Sequence, residues 1–107
     1  MYKLITRVPL SHAEKVREAL SDAGAGKYPH YSKCSFTVKG IGRFLGDENS
    51  NPRVGIRGVL EEVEEEQISV IVQEENIKEV IDALKKAHPY EEIPIEVVKL
   101  ENMYDFK

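Results

Sequence analysis

Two stretches of this chain carry an apolar stripe at helical spacing, and each lies between β-rich segments. In the first stripe Ala13, Val16, Ala19, Leu20 and Ala23 recur on one side, with Arg and Glu on the other. The second is formed by Ile77, Val80, Ile81, Leu84 and Ala87. "KLITRV" (Lys3–Val8) precedes the first, and "IPIEVVKL" (Ile93–Leu100) follows the second. Between the helices, "CSFTVKG" (Cys34–Gly40) alternates, with Cys34, Phe36 and Val38 on one side, which predicts a strand with one buried face. "IRGVLEEVEEEQISVIV" (Ile56–Val72) reads as one long bent strand or two extended pieces, with Ile68, Val70 and Val72 sharing a side. The order is therefore β-α-β, an excursion, then β-α-β, the ferredoxin-like plan of an α+β sandwich, β-α-β-β-α-β. Right-handed crossovers place both helices on one sheet face. The opposite face is then apolar enough to need a cover, and a second subunit is the simplest one.

Local signals refine the plan. "SHAE" (Ser11–Glu14) has the Ser-x-x-Glu form of a capping box. Gly24 is placed to end the first helix in a left-handed conformation. Lys85, Lys86 and His88 suit the negative end of the second helix, and Pro89 stops it. Gly40–Gly55 is punctuated by Gly, Asn and Pro. It reads as a short strand or irregular excursion, Ile41–Leu45, followed by a polar loop. Within that loop Asp47, Asn51 and Arg53 are the residues best placed for contact with a partner, since such loops in small domains are usually functional. At 107 residues, 1–107 is expected to be one domain with no staple.

Charge and cysteine use narrow the classes of function. A net charge of −4 argues against nucleic acid as a partner, and the densest like-charge run, "EEVEEE" (Glu61–Glu66), is acidic. That run reads as a solvated hairpin arm. The single cysteine, Cys34, excludes an intrachain disulfide and suits a reducing compartment. No stretch has the length of a membrane span or a signal h-region, so the expectation is a cytoplasmic protein with no membrane association.

The densest chemistry is "HPYEE" (His88–Glu92). Glu91 and Glu92 offer oxygens to a divalent cation, and His88 offers an imidazole to zinc or copper, three ligands at most. On the other reading His88 caps helix carbonyls, Pro89 turns the chain, Tyr90 packs and the glutamates are solvated. The residues favour the second. His30 and Cys34, four apart in an extended segment, can share a side and hold a soft metal, although a lone Cys on an alternating strand is more often core. A Cys/His nucleophile pairing Cys34 with His12, His30 or His88 lacks a third group to orient it. "GIGRFLG" (Gly40–Gly46) has the glycines of a phosphate loop without the spacing.

Four stretches carry a resemblance: "VPLSHAEKVREALSDAGAG" (Val8–Gly26), "YSKCSFTVKGIGRFL" (Tyr31–Leu45), "NPRVG" (Asn51–Gly55) and "ALKKAHPYEEIPIEVVKLEN" (Ala83–Asn102). In that order they resemble the inserted domain of the GTP cyclohydrolase type-two homologues, the NGG-interacting-factor-like family. The resemblance implies a fold like CutA and PII, trimeric ferredoxin-like proteins, and CutA too carries an HPYE-type segment before its last strand. It further implies sheet faces packed about a three-fold axis, with clefts between subunits lined by His88, Tyr90, Glu91, Glu92, Arg43 and the Cys34 region. A small ligand or divalent metal would bind there, in a regulatory or sensing role without catalysis. Docking on a protein partner is the alternative. The family's two-metal site lies in halves flanking the insert, which this chain is expected to lack, so a metal-dependent hydrolase is the third reading. The chain departs from the family at Pro29 and His30, within "GAGKYPHY", and at Arg43, within "GRF".

Overall fold

Alternating burial along the strands fixes which side of the sheet meets the helices. In β1 (Tyr2–Pro9), Leu4, Thr6 and Val8 are buried, while Lys3, Ile5 and Arg7 between them are half-buried. The computed structural model of the chain describes residues 1–52 and 54–106. After β1 come a 3₁₀ turn (Leu10–His12) and α1 (Ala13–Asp22). A hairpin of β2 (Phe36–Leu45) and β3 (Leu60–Val72) follows. A second 3₁₀ turn (Glu74–Asn76), α2 (Ile77–Ala87), β4 (Ile95–Lys99) and a last 3₁₀ turn (Met103–Asp105) complete the chain. The four strands form one sheet in the order β2-β3-β1-β4, with every neighbouring pair antiparallel. That is the ferredoxin-like α+β plan expected from the two helical stripes.

Register places the core. Leu4 faces Val70 and Thr6 faces Ile68, so these side chains share the sheet side on which the helices lie. Against them pack Val16 and Leu20 of α1 and Val80 and Leu84 of α2, all fully buried. Thr6 is admitted to this core because its hydroxyl donates to the Pro94 carbonyl at 2.9 Å. Gly24, at φ +112°, ends α1 as expected. The Ala25 amide bonds the Leu20 carbonyl and the Gly24 amide bonds the Ser21 carbonyl, the paired bonds of a Schellman motif.

Four local expectations are corrected. The Ser11–Glu14 capping box does not form: Ser11 lies inside the 3₁₀ turn, its hydroxyl bonds His12 Nδ1, and Glu14 turns to Arg17. Ile41–Leu45, read as a short strand or an irregular excursion, is extended but not a separate element: it is the continuation of β2, held in register with β3 as far as Leu45↔Leu60. Phe36 and Val38 are not buried within the chain, with 68% and 48% of their surface exposed. Phe36 pairs with Ser69 and Val38 with Gln67, so the apolar side of β2 is the sheet face away from the helices. Finally, the acidic run is not wholly solvated. Glu66 turns to the helix side and pairs with Arg17, and Glu65, 7% exposed, turns to the helix-free side.

Candidate functional site

The junction after α2 is built on His88. Its amide closes the helix on the Leu84 carbonyl at 2.9 Å, and its extended backbone (φ −77°, ψ 135°) ends it. The imidazole is 6% exposed and spans two elements. Nε2 lies 2.6 Å from the Arg7 carbonyl of β1, and the Tyr90 amide lies 3.1 Å from Nδ1. A carbonyl only accepts and an amide only donates, so Nε2 carries the proton and Nδ1 is the acceptor. The ring is therefore neutral in this arrangement. Burial pushes its pKa down, opposed by the Arg7 carbonyl and by Glu65.

His88 orients Tyr90. The Tyr90 ring leans on the imidazole at 4.9 Å between centroids and on Phe44 at 5.8 Å, both tilted. Its hydroxyl donates to Glu65 Oε2 at 2.5 Å. Burial and that bond push the phenol pKa well up, so Tyr90 keeps its proton across the physiological range. Glu65 has room because position 42 on the neighbouring strand is glycine. A Cβ there would stand 2.0 Å from Glu65 Oε1.

These residues form one wall of a cleft of about 440 Å³ on the helix-free side of the β2–β3 hairpin, beside its connecting loop. Arg7, Gly42, Phe44, Glu65, Tyr90 and Pro94 line it from the sheet and junction, and Gly46, Ser50, Pro52 and Val54 from the loop. Two cations lie at it, each already paired: Arg7, on the same sheet face, with Glu96 at 2.5 Å, and Arg43, whose place between Gly42 and Phe44 turns its side chain to the opposite face, with Glu62 at 3.4 Å. The loop is tied down at the cleft rim, where the Asn51 amide donates to Glu91 Oε2 at 2.7 Å. Asp47 organises its start by accepting from the Asn49 and Ser50 amides.

Of the residues singled out in the sequence, Tyr90, Glu91, Glu92 and Arg43 line this cleft. His88 lies behind Tyr90 with both ring nitrogens occupied, so a role as metal ligand would require one of those bonds to be given up. It does not cap α2 with its side chain either, since the imidazole crosses to β1. Cys34 is half-buried in a smaller cleft of about 140 Å³ beside Arg17 on α1, and His30 is exposed on the preceding turn. Neither joins the site. Asp47 and Asn51 are exposed on the loop, whereas Arg53 lies outside the described residues. Among the described residues no three His, Cys, Asp or Glu side chains are grouped to hold a metal ion. Sequence reasoning missed Glu65. Its one signal is the glycine pair Gly40 and Gly42 on the opposite strand, which acquires meaning only with the register Gly40↔Glu65.

No protein-family model matches the chain. It is 46% identical over 102 residues to a GTP cyclohydrolase 1 type 2 homolog of Halalkalibacterium halodurans, a match covering 95% of this chain and 27% of that protein. The chain thus spans about a quarter of the length of the curated relatives it matches. Among solved structures, a Bacillus cereus protein related to NIF3 superposes with a TM-score of 0.81 at 42% identity, over 94% of this chain and 26% of that one. The PII-like protein CutA of Nostoc superposes with a TM-score of 0.69 at 16% identity, over 97% and 85% of the two chains. The fold is that of the CutA/PII-like proteins, and in sequence the chain is similar to a segment of the cyclohydrolase homologues.

Proposed function

We propose that this chain is a CutA/PII-like subunit of a homotrimer, its helix-free sheet faces packed together, and that it binds a small ligand in the cleft around Glu65 and Tyr90. The observation that carries the reading is the location of the cleft. It opens on the same sheet face as Phe36 and Val38, exposed apolar side chains that a single chain leaves uncovered. A neighbouring subunit laid on that face would bury them and bring the cleft to an intersubunit boundary. Such a subunit reports on its ligand by assembly and shape, and we assign it no catalytic step. The cyclohydrolase activity in the relatives' names is left to the parts of those proteins that this chain does not match.

Native mass spectrometry of freshly purified protein, with light scattering in solution, tests the reading. A discrete trimer is expected. A clean monomer at micromolar concentration overturns it and favours the alternative, a module that docks on a protein partner through the loop around Asp47 and Asn51.

A further inference from the structure

The charge pattern of the cleft names a class of ligand, and the inference rests on the reading of the cleft as a ligand site. Glu65 is the most deeply placed ionisable group in its wall, 7% exposed, and its one hydrogen-bond donor among the described residues is the neutral phenol of Tyr90. A neutral donor satisfies one oxygen but does not balance the charge, and a carboxylate out of water is costly without an opposite charge. Arg7, on the cleft's sheet face, is paired with Glu96, and Arg43 turns to the opposite face, towards Glu62. Glu91 and Glu92 add two further carboxylates at the rim, and neither has a cationic partner among the described residues. The cleft thus presents one buried and two exposed carboxylates beside two aromatic rings, Phe44 and Tyr90, that lean together at 5.8 Å.

We propose that the cleft takes a small organic cation, a guanidinium or primary ammonium whose head group pairs with Glu65 and lies against the Phe44 and Tyr90 rings. A planar guanidinium meets a carboxylate with two parallel hydrogen bonds and is attracted to the face of an aromatic ring. A second positive group on the same molecule would meet Glu91 or Glu92 at the mouth. The size of the space agrees with a small molecule, since about 440 Å³ lies within the range of ligand pockets and far exceeds a bare metal ion. The glycine at position 42 serves the same end: it is what allows the Glu65 carboxylate to lie flat in the wall. Tyr90 and His88 then act as positioning residues, the imidazole holding the tyrosine and the tyrosine holding the carboxylate.

The probe is agmatine, which carries a guanidinium at one end and an ammonium at the other, titrated calorimetrically into the full chain. Glutarate, a dianion of similar length, is the comparison. Saturable agmatine binding is expected, at one molecule per chain and weaker at higher salt, with no glutarate binding. Glu65→Gln keeps an acceptor for Tyr90 but removes the charge, and should weaken agmatine at least tenfold. Should that variant not fold, Glu91→Gln with Glu92→Gln reads the same charge at the rim, with at least a threefold loss expected. Equal agmatine affinity in wild type and a folded Glu65→Gln variant overturns the proposal. Glutarate binding without agmatine overturns the cationic class while leaving the cleft a ligand site. If neither probe binds, the proposal fails, and light scattering then reports separately whether the trimer stands.

Discussion

Replacing His88 probes the link between the helix end and the cleft. In His88→Ala, the Arg7 carbonyl and the Tyr90 amide both lose their partner at a site 6% exposed. Each orphaned group costs about 1–3 kcal/mol, and the void left by the ring adds to it. Both bonds are only partly sheltered, so the expected loss at pH 7.5 is about 2–4 kcal/mol. The pH dependence gives a sharper test through His88→Gln, which cannot ionise. Burial depresses the folded-state pKa of His88 below the ordinary value of ~6.5, so the unfolded chain takes up this proton first. Stability that is fully present above about pH 6.5 is therefore lost as pH falls towards the depressed folded value. The physical event is the loss of Nδ1 as acceptor for the Tyr90 amide. Glu65 favours the charged ring and His12 opposes it, while the Arg7 carbonyl holds Nε2–H in either state. Urea unfolding followed by circular dichroism, at one fixed protein concentration and at pH 7.5 and 5.5, measures both effects. Wild type should lose more stability than His88→Gln between the two pH values. His12 and His30 remain in both proteins, so the difference isolates His88. Equal pH slopes, or a cost of His88→Ala below about 1 kcal/mol, would refute the reasoning.

Three other substitutions test separate parts of the structure. Gly42→Ala puts a Cβ 2.0 Å from Glu65 Oε1, so the carboxylate must swing away from Tyr90; a loss of about 1–3 kcal/mol in urea unfolding is expected, and less than about 0.5 would mean that Glu65 has an equally good second position. Arg17→Ala strips the partner from Glu66, whose side chain is 14% exposed, and should cost about 2 kcal/mol in the same assay; a change within about 0.5 kcal/mol would show Glu66 to be adequately solvated. Val38→Glu sets a charge on the open sheet face at a residue 48% exposed within the chain. Light scattering should report a monomer with an unchanged far-ultraviolet spectrum, and an intact trimer would move the interface elsewhere.

The helical and strand periods were enough to read the sheet's membership and both helices, because each apolar stripe faces the same core. Gly24 was legible for the same local reason, its place one turn past the last apolar residue of α1. What escaped depends on partners distant in sequence. Phe36 and Val38 alternate like core residues, and alternation alone does not say which side of the sheet the helices take. Glu65 sits in a run of glutamates that looks solvated until β2 is laid beside it and Gly42 is seen to clear its space. His88 was correctly placed at the end of α2, but its imidazole turns to the carbonyl of Arg7, 81 residues earlier. Tyr90 and Glu91 point to the cleft only because the loop after β2 folds back over the junction.

The sheet order also sets a timetable. β1 occupies an inner position between β3 and β4, with Tyr2 opposite both Val72 and Lys99. The first strand made is thus among the last to be paired, and its two ladders close loops that span much of the chain. Only the β2–β3 hairpin is local, so it and α2 form the natural nucleus, onto which β1 must dock. Folding should be slower than that of a helical bundle of equal length, and Leu4 and Val8 stay in solvent until β1 has docked under the helices.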